Sequence, residues 1–227
     1  MDRDREIKER LTKLPMEVWL KVELWFVYCG LKPATDVYVK ETIYNSLNKT
    51  VRVADEDIER TIDFLLDMGL YYRVIDSYNS GEWEIKRNGK KEKVKVDVTL
   101  ISKRLLVAKS SELVNQLYRA WISEEWDSEE VHLALGKLYG YPAGAVKEYA
   151  RTMQTDKKGG FSPTIVSIRE FRERFEDKYW YPYVTYLVRK GHEEEDCEVG
   201  IKWADWMRED WPELAEEFEK VARRMDV

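Results

Sequence analysis

The chain has 227 residues, of which 44% are hydrophobic and 13% aromatic, so it has enough apolar side chains for a packed core and is not a wholly disordered protein. At roughly 150 residues per domain, this length predicts one or two domains. The 44 acidic residues outnumber the 38 Lys and Arg and give a formal charge of −6, so a nucleic-acid site would have to be a local basic patch.

The first part of the chain, residues 1–107, has the pattern of a mixed unit. Hydrophobic spacing predicts helices over 15–29, 36–48 and 55–68, followed by strands over 71–75, 82–87 and 94–100. Pro15 suits a first helical turn and Gly30 a helix stop. Turn residues occur at 79–81, and Asn88-Gly89 is a strong hairpin signal.

The remainder, residues 108–227, is predicted to be mainly helical. Helix starts are expected near Ser111, Ser128, Pro142, Ser167 and Asp210. Residues 181–189 alternate weakly and predict a strand, and residues 192–197 predict an acidic turn. The expected fold class is therefore α+β: an N-terminal three-helix plus three-stranded antiparallel, winged-helix-like unit followed by a mainly helical C-terminal unit.

The predicted hairpin is basic and suggests one functional alternative. Its cations are Lys86, Arg87, Lys90, Lys91, Lys93 and Lys95. In a winged helix, helix 55–68 would read the major groove, but it carries six acidic residues and only Arg60, and phosphates repel such a helix. A nucleic-acid-binding module using hairpin 86–95 therefore stays an alternative, beside a solvated edge that deters strand pairing.

Catalytic signatures are absent from the sequence. It contains no GxxxxGK[ST], GxSxG, HExxH or GxGxxG motif and only two histidines, His132 and His192. We therefore predict no catalytic residues, no cofactor and no metal site. The stretch 192–197 holds metal-binding residue types, but consecutive residues cannot all face one ion.

The segment around Gly140-Tyr141-Pro142 is the main candidate binding site. Gly140 ends one helix, and Pro142 opens the next and keeps Tyr141 extended. The pattern favours a tight helix-helix corner packed against the core over a binding site. If the corner forms a pocket, His132 and Glu148 are the titratable side chains that would complete it, and an enzyme using them is a second alternative.

This corner resembles the mark of an uncharacterised archaeal family, a domain of unknown function, with the pattern Leu-Gly-x-x-x-Gly-Tyr-Pro-x-Cys-Cys-Val. The matching residues are Leu135, Gly136, Gly140, Tyr141, Pro142 and Val146. Gly144 and Ala145 stand at the two cysteine positions, and Cys197 corresponds to the second cysteine of a later Pro-Cys-Ser-x-x-Cys segment. The resemblance covers about residues 107–206 and implies a shared fold, no known activity and the loss of most of the family's cysteines.

The low cysteine content indicates the cellular compartment, and the nine tryptophans indicate how the chain packs or binds a partner. Two cysteines without a CxxC motif and a charged N-terminus predict a cytoplasmic protein with no membrane segment, and the Glu, Lys and Arg content is hyperthermophile-like. The C-terminal tryptophans predict core packing or, where exposed, contact with a protein partner or a second copy. The preferred function is a non-enzymatic binding or assembly protein.

Overall fold

A computed structural model of the protein describes residues 2–45, 49–50, 55–86, 93–155 and 164–224. Its helices α1–α9 cover Asp2–Thr12, Val18–Cys29, Asp55–Asp67, Ser111–Trp121, Glu129–Leu138, Ala143–Thr155, Ile168–Phe175, Glu193–Asp210 and Pro212–Ala222. Its strands β1–β4 cover Ala34–Asn45, Lys49–Thr50, Tyr71–Lys86 and Lys93–Ala108, and a 3-10 turn covers Tyr181–Tyr183. The fold class is α+β, as predicted. Within the described ranges, no helix is both long enough and apolar enough to cross a membrane.

The chain packs as two compact units. Unit 1 comprises Met1–Met16 and Asp36–Val114, and unit 2 comprises Glu17–Thr35 and Asn115–Val227. Helix α2 therefore belongs to unit 2, although it precedes the whole sheet in the sequence.

Unit 1 is built on a sheet with the strand order β2-β1-β4-β3. Strands β3 and β4 pair antiparallel without a break from Tyr71↔Ala108 to Lys86↔Lys93, which confirms the predicted hairpin pairing. The turn Asn88-Gly89 itself lies outside the described residues. Phe64 and Leu65 of α3 are buried, as are residues 105–108 at the end of β4, so the helix and this end of the sheet supply the core of the unit.

Two predictions for unit 1 are wrong, and both concern strands. Residues 36–48 were expected to form a helix, yet β1 covers Ala34–Asn45, where β-branched residues recur. Residues 79–81 were expected to turn, yet they continue β3 opposite Val98–Leu100. The ladder on both sides of these residues is in register, so Gly81 is accommodated within a continuous strand.

Unit 2 has an aromatic core around α2. Trp25 is 1% exposed, its ring meets that of Trp211 edge-on at 5.2 Å, and its Nε1 donates a hydrogen bond to Asp210 at 2.9 Å. Phe26 packs beside Trp203 of α8, with ring centroids 5.6 Å apart. The prediction that the C-terminal tryptophans pack in the core is confirmed for Trp203 and Trp211, which are buried.

Two helices of unit 2, α5 and α7, begin at serine N-caps. Ser128 and Ser167 accept hydrogen bonds from the backbone N–H groups of Val131 and Glu170, which confirms both predicted N-caps. Residues 181–189 do not form the predicted strand: they contain the 3-10 turn and one isolated bridge, Ile165↔Arg189. The predicted acidic turn 192–197 is also wrong, because α8 begins at Glu193, where a first turn of carboxylates suits the helix dipole.

Candidate functional site

The corner between α5 and α6 is tightly closed. Gly140 has φ +72°, and the Tyr141 N–H donates to the Gly136 carbonyl at 3.0 Å, a helix-ending arrangement that favours glycine. A Cβ added at Gly136 would clash with the Val146 side chain. Glycine at position 136 therefore lets α5 and α6 approach closely and fixes the angle at which the chain turns back.

A cavity of about 680 Å3 lies in unit 2 beside this corner, and we call it the aromatic cavity. Its volume falls within the range typical of small-molecule sites, about 300–1,000 Å3. Of the residues that the structure describes, no Asp, Glu, Lys or Arg lines it. The lining residues are Trp121, Trp126, His132, Leu135, Gly136, Tyr139, Tyr141, Ala145, Val146, Tyr149, Met153, Val166, Ile168, Phe171, Tyr181, Val184, Thr185, Tyr186, Leu187 and Val188.

One wall of the aromatic cavity is a series of rings in contact. Trp121 and Trp126 lie with centroids 4.8 Å apart, Trp126 and His132 with centroids 6.3 Å apart, and His132 and Tyr149 with centroids 5.3 Å apart. The indole N–H of Trp121 donates to the Tyr139 hydroxyl at 2.9 Å. The two contacts of His132 are edge-to-face, an arrangement that aromatic pairs prefer.

His132 is the titratable side chain of this wall. It is 6% exposed, and its Nε2 has no hydrogen-bond partner among the residues that the structure describes. Burial lowers the pKa of His132 below its ordinary value, and the nearby charge of Asp127 opposes this shift only in part. At neutral pH the ring is therefore uncharged. A buried polar atom left without a partner costs about 1–3 kcal/mol, which a ligand that supplies the partner would recover.

The opposite wall is held in place by α8. The ring of Tyr186 lies 5.0 Å from that of Tyr141, and its hydroxyl donates to the Asp196 carbonyl at 2.7 Å and accepts from the Gly200 N–H at 3.2 Å. A Cβ added at Gly200 would lie 2.5 Å from the Val184 side chain. Residues 183–186 can therefore lie against the backbone of α8 only because this position is glycine.

Asp196 fixes the end of the same wall. Its side chain is fully buried and accepts hydrogen bonds from the backbone N–H of Arg189 at 2.8 Å and from the guanidinium of Arg189 at 2.7 Å. The carboxylates of Asp196 and Glu195 raise the pKa of the Arg189 guanidinium, so the cation is retained. This pair ties the segment that follows Val188 to the first turn of α8.

Tyr141 is supported from within unit 2 by Lys32. The Lys32 Nζ lies 5.5 Å from the centre of the Tyr141 ring and 4.3 Å from that of Trp203. It donates to both carboxylate oxygens of Glu23, at 2.6 and 2.8 Å. Lys32 is 1% exposed, so its cation is held by one carboxylate and by aromatic faces instead of water.

The structure brings together some of the predicted binding residues and separates others. His132 and Tyr141 both line the aromatic cavity, whereas Gly140, Pro142 and Glu148 do not. Glu148 instead accepts hydrogen bonds from the side chains of Thr164 and Arg151, which lower its pKa. The full set of three side chains that the enzyme alternative needs, His132, Tyr141 and Glu148, therefore does not converge on this cavity.

Two other predicted sites can be placed in part. Lys86 and Lys93 are the paired last and first residues of β3 and β4, while Arg87, Lys90 and Lys91 lie outside the described residues, so the nucleic-acid alternative stays a prediction. Cys197 is buried in α8, and burial together with the charge of Asp196 raises the pKa of its thiol to about 12. This thiol is therefore protonated and unreactive at neutral pH.

Most lining residues of the aromatic cavity were not predicted as site residues. Trp126, Tyr149 and Phe171 were absent or were assigned to ordinary packing. The signal that was available is the density of aromatic residues between positions 121 and 149. Periodicity shows that such side chains face inward, but it does not show whether they enclose a filled core or a cavity.

Comparisons of the chain with protein-family models, with curated proteins and with solved structures found no match. The resemblance of the Gly140-Tyr141-Pro142 corner to an archaeal family of unknown function therefore stays a prediction.

Proposed function

We propose that the protein is a small-molecule-binding protein whose aromatic cavity takes an uncharged, mainly apolar ligand. The observation that carries the proposal is the lining itself: among the described residues, a cavity of about 680 Å3 has aromatic walls, no Asp, Glu, Lys or Arg side chain, and one buried imidazole nitrogen without a partner. Small-molecule sites typically combine apolar walls with a few polar groups in this way.

The charge of the lining argues for the class of ligand. A buried carboxylate or phosphate needs a cation or several donors, and no Lys or Arg of the described part of the chain lines the cavity. Aromatic faces attract cations, but within the same described ranges no Asp or Glu lines the cavity to complete such a site. An uncharged ligand avoids the desolvation cost of burying an anion or a cation, and it gains from contact with the rings.

The mouth of the cavity supports the same class. Met153 and Ile168 line the cavity and are 43% and 49% exposed, so two apolar side chains of the described residues lie where the lining reaches the protein surface. Exposed apolar surface next to a concave site is typical of ligand-binding grooves. A molecule that enters here meets apolar contacts before it reaches His132.

Filling the mouth of the cavity tests the proposal. Titration of the wild-type protein with 1-aminoanthracene, an uncharged fluorescent apolar probe, is expected to show saturable binding with one site per chain. Thr185→Trp, at an exposed position that lines the cavity, is expected to weaken binding at least tenfold, because the indole occupies ligand volume.

The matched control is Glu216→Trp, which adds the same side chain at an exposed position of α9 away from the cavity. It is expected to leave the affinity unchanged. Absence of saturable binding to the wild-type protein would overturn the proposal, and so would equal affinities of wild type and Thr185→Trp.

A further inference from the structure

The polar groups of the aromatic cavity are concentrated at one place. His132 and Tyr149 lie edge to face with ring centroids 5.3 Å apart, and both line the cavity. Among the described residues, Nε2 of His132 is buried without a hydrogen-bond partner, whereas the Tyr149 hydroxyl, whose pKa is raised by burial, is not one of the fully buried unpaired atoms. The other buried side-chain atom without a partner in these ranges, the Tyr183 hydroxyl, does not line the cavity.

The chemistry of this pair selects its complement. A neutral imidazole has one nitrogen that donates a hydrogen bond and one that accepts. The tautomer decides whether Nε2 is the donor or the acceptor. A hydroxyl group both donates and accepts hydrogen bonds, so it can pair with Nε2 in either tautomer. It can also accept a hydrogen bond from the Tyr149 hydroxyl. A carboxylate or an ammonium group has only one of these roles and brings a charge that no lining side chain in the described ranges neutralises.

Resting on the proposed function, we propose that the ligand of the aromatic cavity is an aromatic alcohol or phenol whose hydroxyl group hydrogen-bonds to His132 and Tyr149. Its ring packs between the aromatic walls, and its single polar group sits at the His132–Tyr149 contact. His132 and Tyr149 are therefore residues that determine ligand specificity.

Contact with Nε2 requires a small local rearrangement. This atom is covered by neighbouring side chains, so a ligand reaches it when the imidazole turns about χ2 or when a neighbour shifts. The torsion χ2 of histidine has broad minima, so turning the ring within its slot is an accessible change.

The test compares two probes of nearly the same shape, 2-naphthol and 2-methylnaphthalene. By isothermal titration calorimetry at neutral pH, the wild-type protein is expected to bind 2-naphthol at least threefold more tightly, because only that probe gives the polar pair a partner. A purely apolar cavity would prefer 2-methylnaphthalene, since transferring its methyl group from water is favourable.

Variants assign the preference to the two side chains. Tyr149→Phe removes one hydroxyl and is expected to reduce the preference for 2-naphthol, and His132→Phe, which keeps a ring in the wall, is expected to reverse it. Tyr179→Phe and His192→Phe make the same replacements outside the cavity and are expected to leave the preference unchanged. The Tyr149→Phe variant and the wild-type comparison keep the test decisive if circular dichroism shows that His132→Phe is unfolded.

The outcomes separate this inference from the proposed function. If the wild-type protein binds neither naphthalene probe and does not bind 1-aminoanthracene, the proposed function is wrong. If it binds both naphthalene probes and prefers 2-methylnaphthalene, or keeps its preference for 2-naphthol in folded His132→Phe, only the hydroxyl inference is wrong. Tighter binding of 2-naphthoate or of phenyltrimethylammonium than of 2-naphthol would also overturn it.

Discussion

Replacing Asp196 with alanine is expected to lower the free energy of unfolding by about 3–5 kcal/mol, the largest effect of any single change considered. The side chain of Asp196 is fully buried and accepts hydrogen bonds from the backbone and the guanidinium of Arg189. Alanine leaves that backbone N–H without its acceptor and the partly buried cation without its main partner. Urea denaturation followed by circular dichroism measures the loss.

Glu195 provides a matched control at the same guanidinium. Its carboxylate lies 2.8 Å from Arg189 Nη2, but its side chain is 64% exposed. Glu195→Ala is therefore expected to cost less than about 1 kcal/mol, as for other exposed ion pairs. Equal losses for Asp196→Ala and Glu195→Ala would contradict the assignment of Asp196 as the buried anchor of the cavity wall.

Lys32→Met is expected to lower the free energy of unfolding by about 2–4 kcal/mol. Methionine fills the space of the lysine stem among Phe26, Tyr141 and Trp203, but it leaves the Glu23 carboxylate without its cation. This loss in the free energy of unfolding lies toward the lower end of the range for broken buried ion pairs. The reason is that Glu23 is 15% exposed and keeps a hydrogen bond from Thr35 at 2.9 Å.

Two further variants show whether the cost of Lys32→Met comes from the unpaired carboxylate. Lys202→Met breaks an exposed pair with Glu198 and is expected to change stability by less than about 1 kcal/mol. Combining Lys32→Met with Glu23→Leu removes both charges and is expected to recover most of the loss. A Lys32→Met protein as stable as the wild type would show that this pair does not hold the wall at Tyr141.

Local chemistry made much of unit 2 predictable. The serine caps at positions 128 and 167, the stop at Gly140 and the restart at Pro142 depend on residues within a few positions of each other, and the structure confirms them. Helix α2 was also predicted, although it begins at Val18, three residues after Pro15.

Other features depend on partners that are distant in the sequence. Strand β1 was mistaken for a helix because the turn-like residues on either side were given more weight than its β-branched residues. Pairing with the neighbouring strands β2 and β4 fixes its conformation. Helix α1 was missed because only Ile7 and Leu11 are buried on its inner face. Residues 181–189 look like a strand by alternation, but their backbone and side chains are bound by α8 instead of a sheet.

The aromatic cavity was predictable only in part. His132 and Tyr141 were predicted from the corner that separates them, while Glu148 was predicted on the same grounds and faces Thr164 and Arg151 instead. One helical position separates Glu148 from Tyr149, and that step of about 100° decides which of the two lines the cavity. A sequence pattern places both near the corner but does not fix this rotation.

The most direct measurement of the central claim is the position of a bound probe. Because the chain has only two histidines, the imidazole protons of His132 are readily assigned by NMR with a His192→Gln variant. With 2-naphthol bound, intermolecular NOEs are expected from the naphthalene protons to the rings of His132, Tyr149 and Trp126. Saturable binding with NOEs only to residues outside the aromatic cavity would contradict the account.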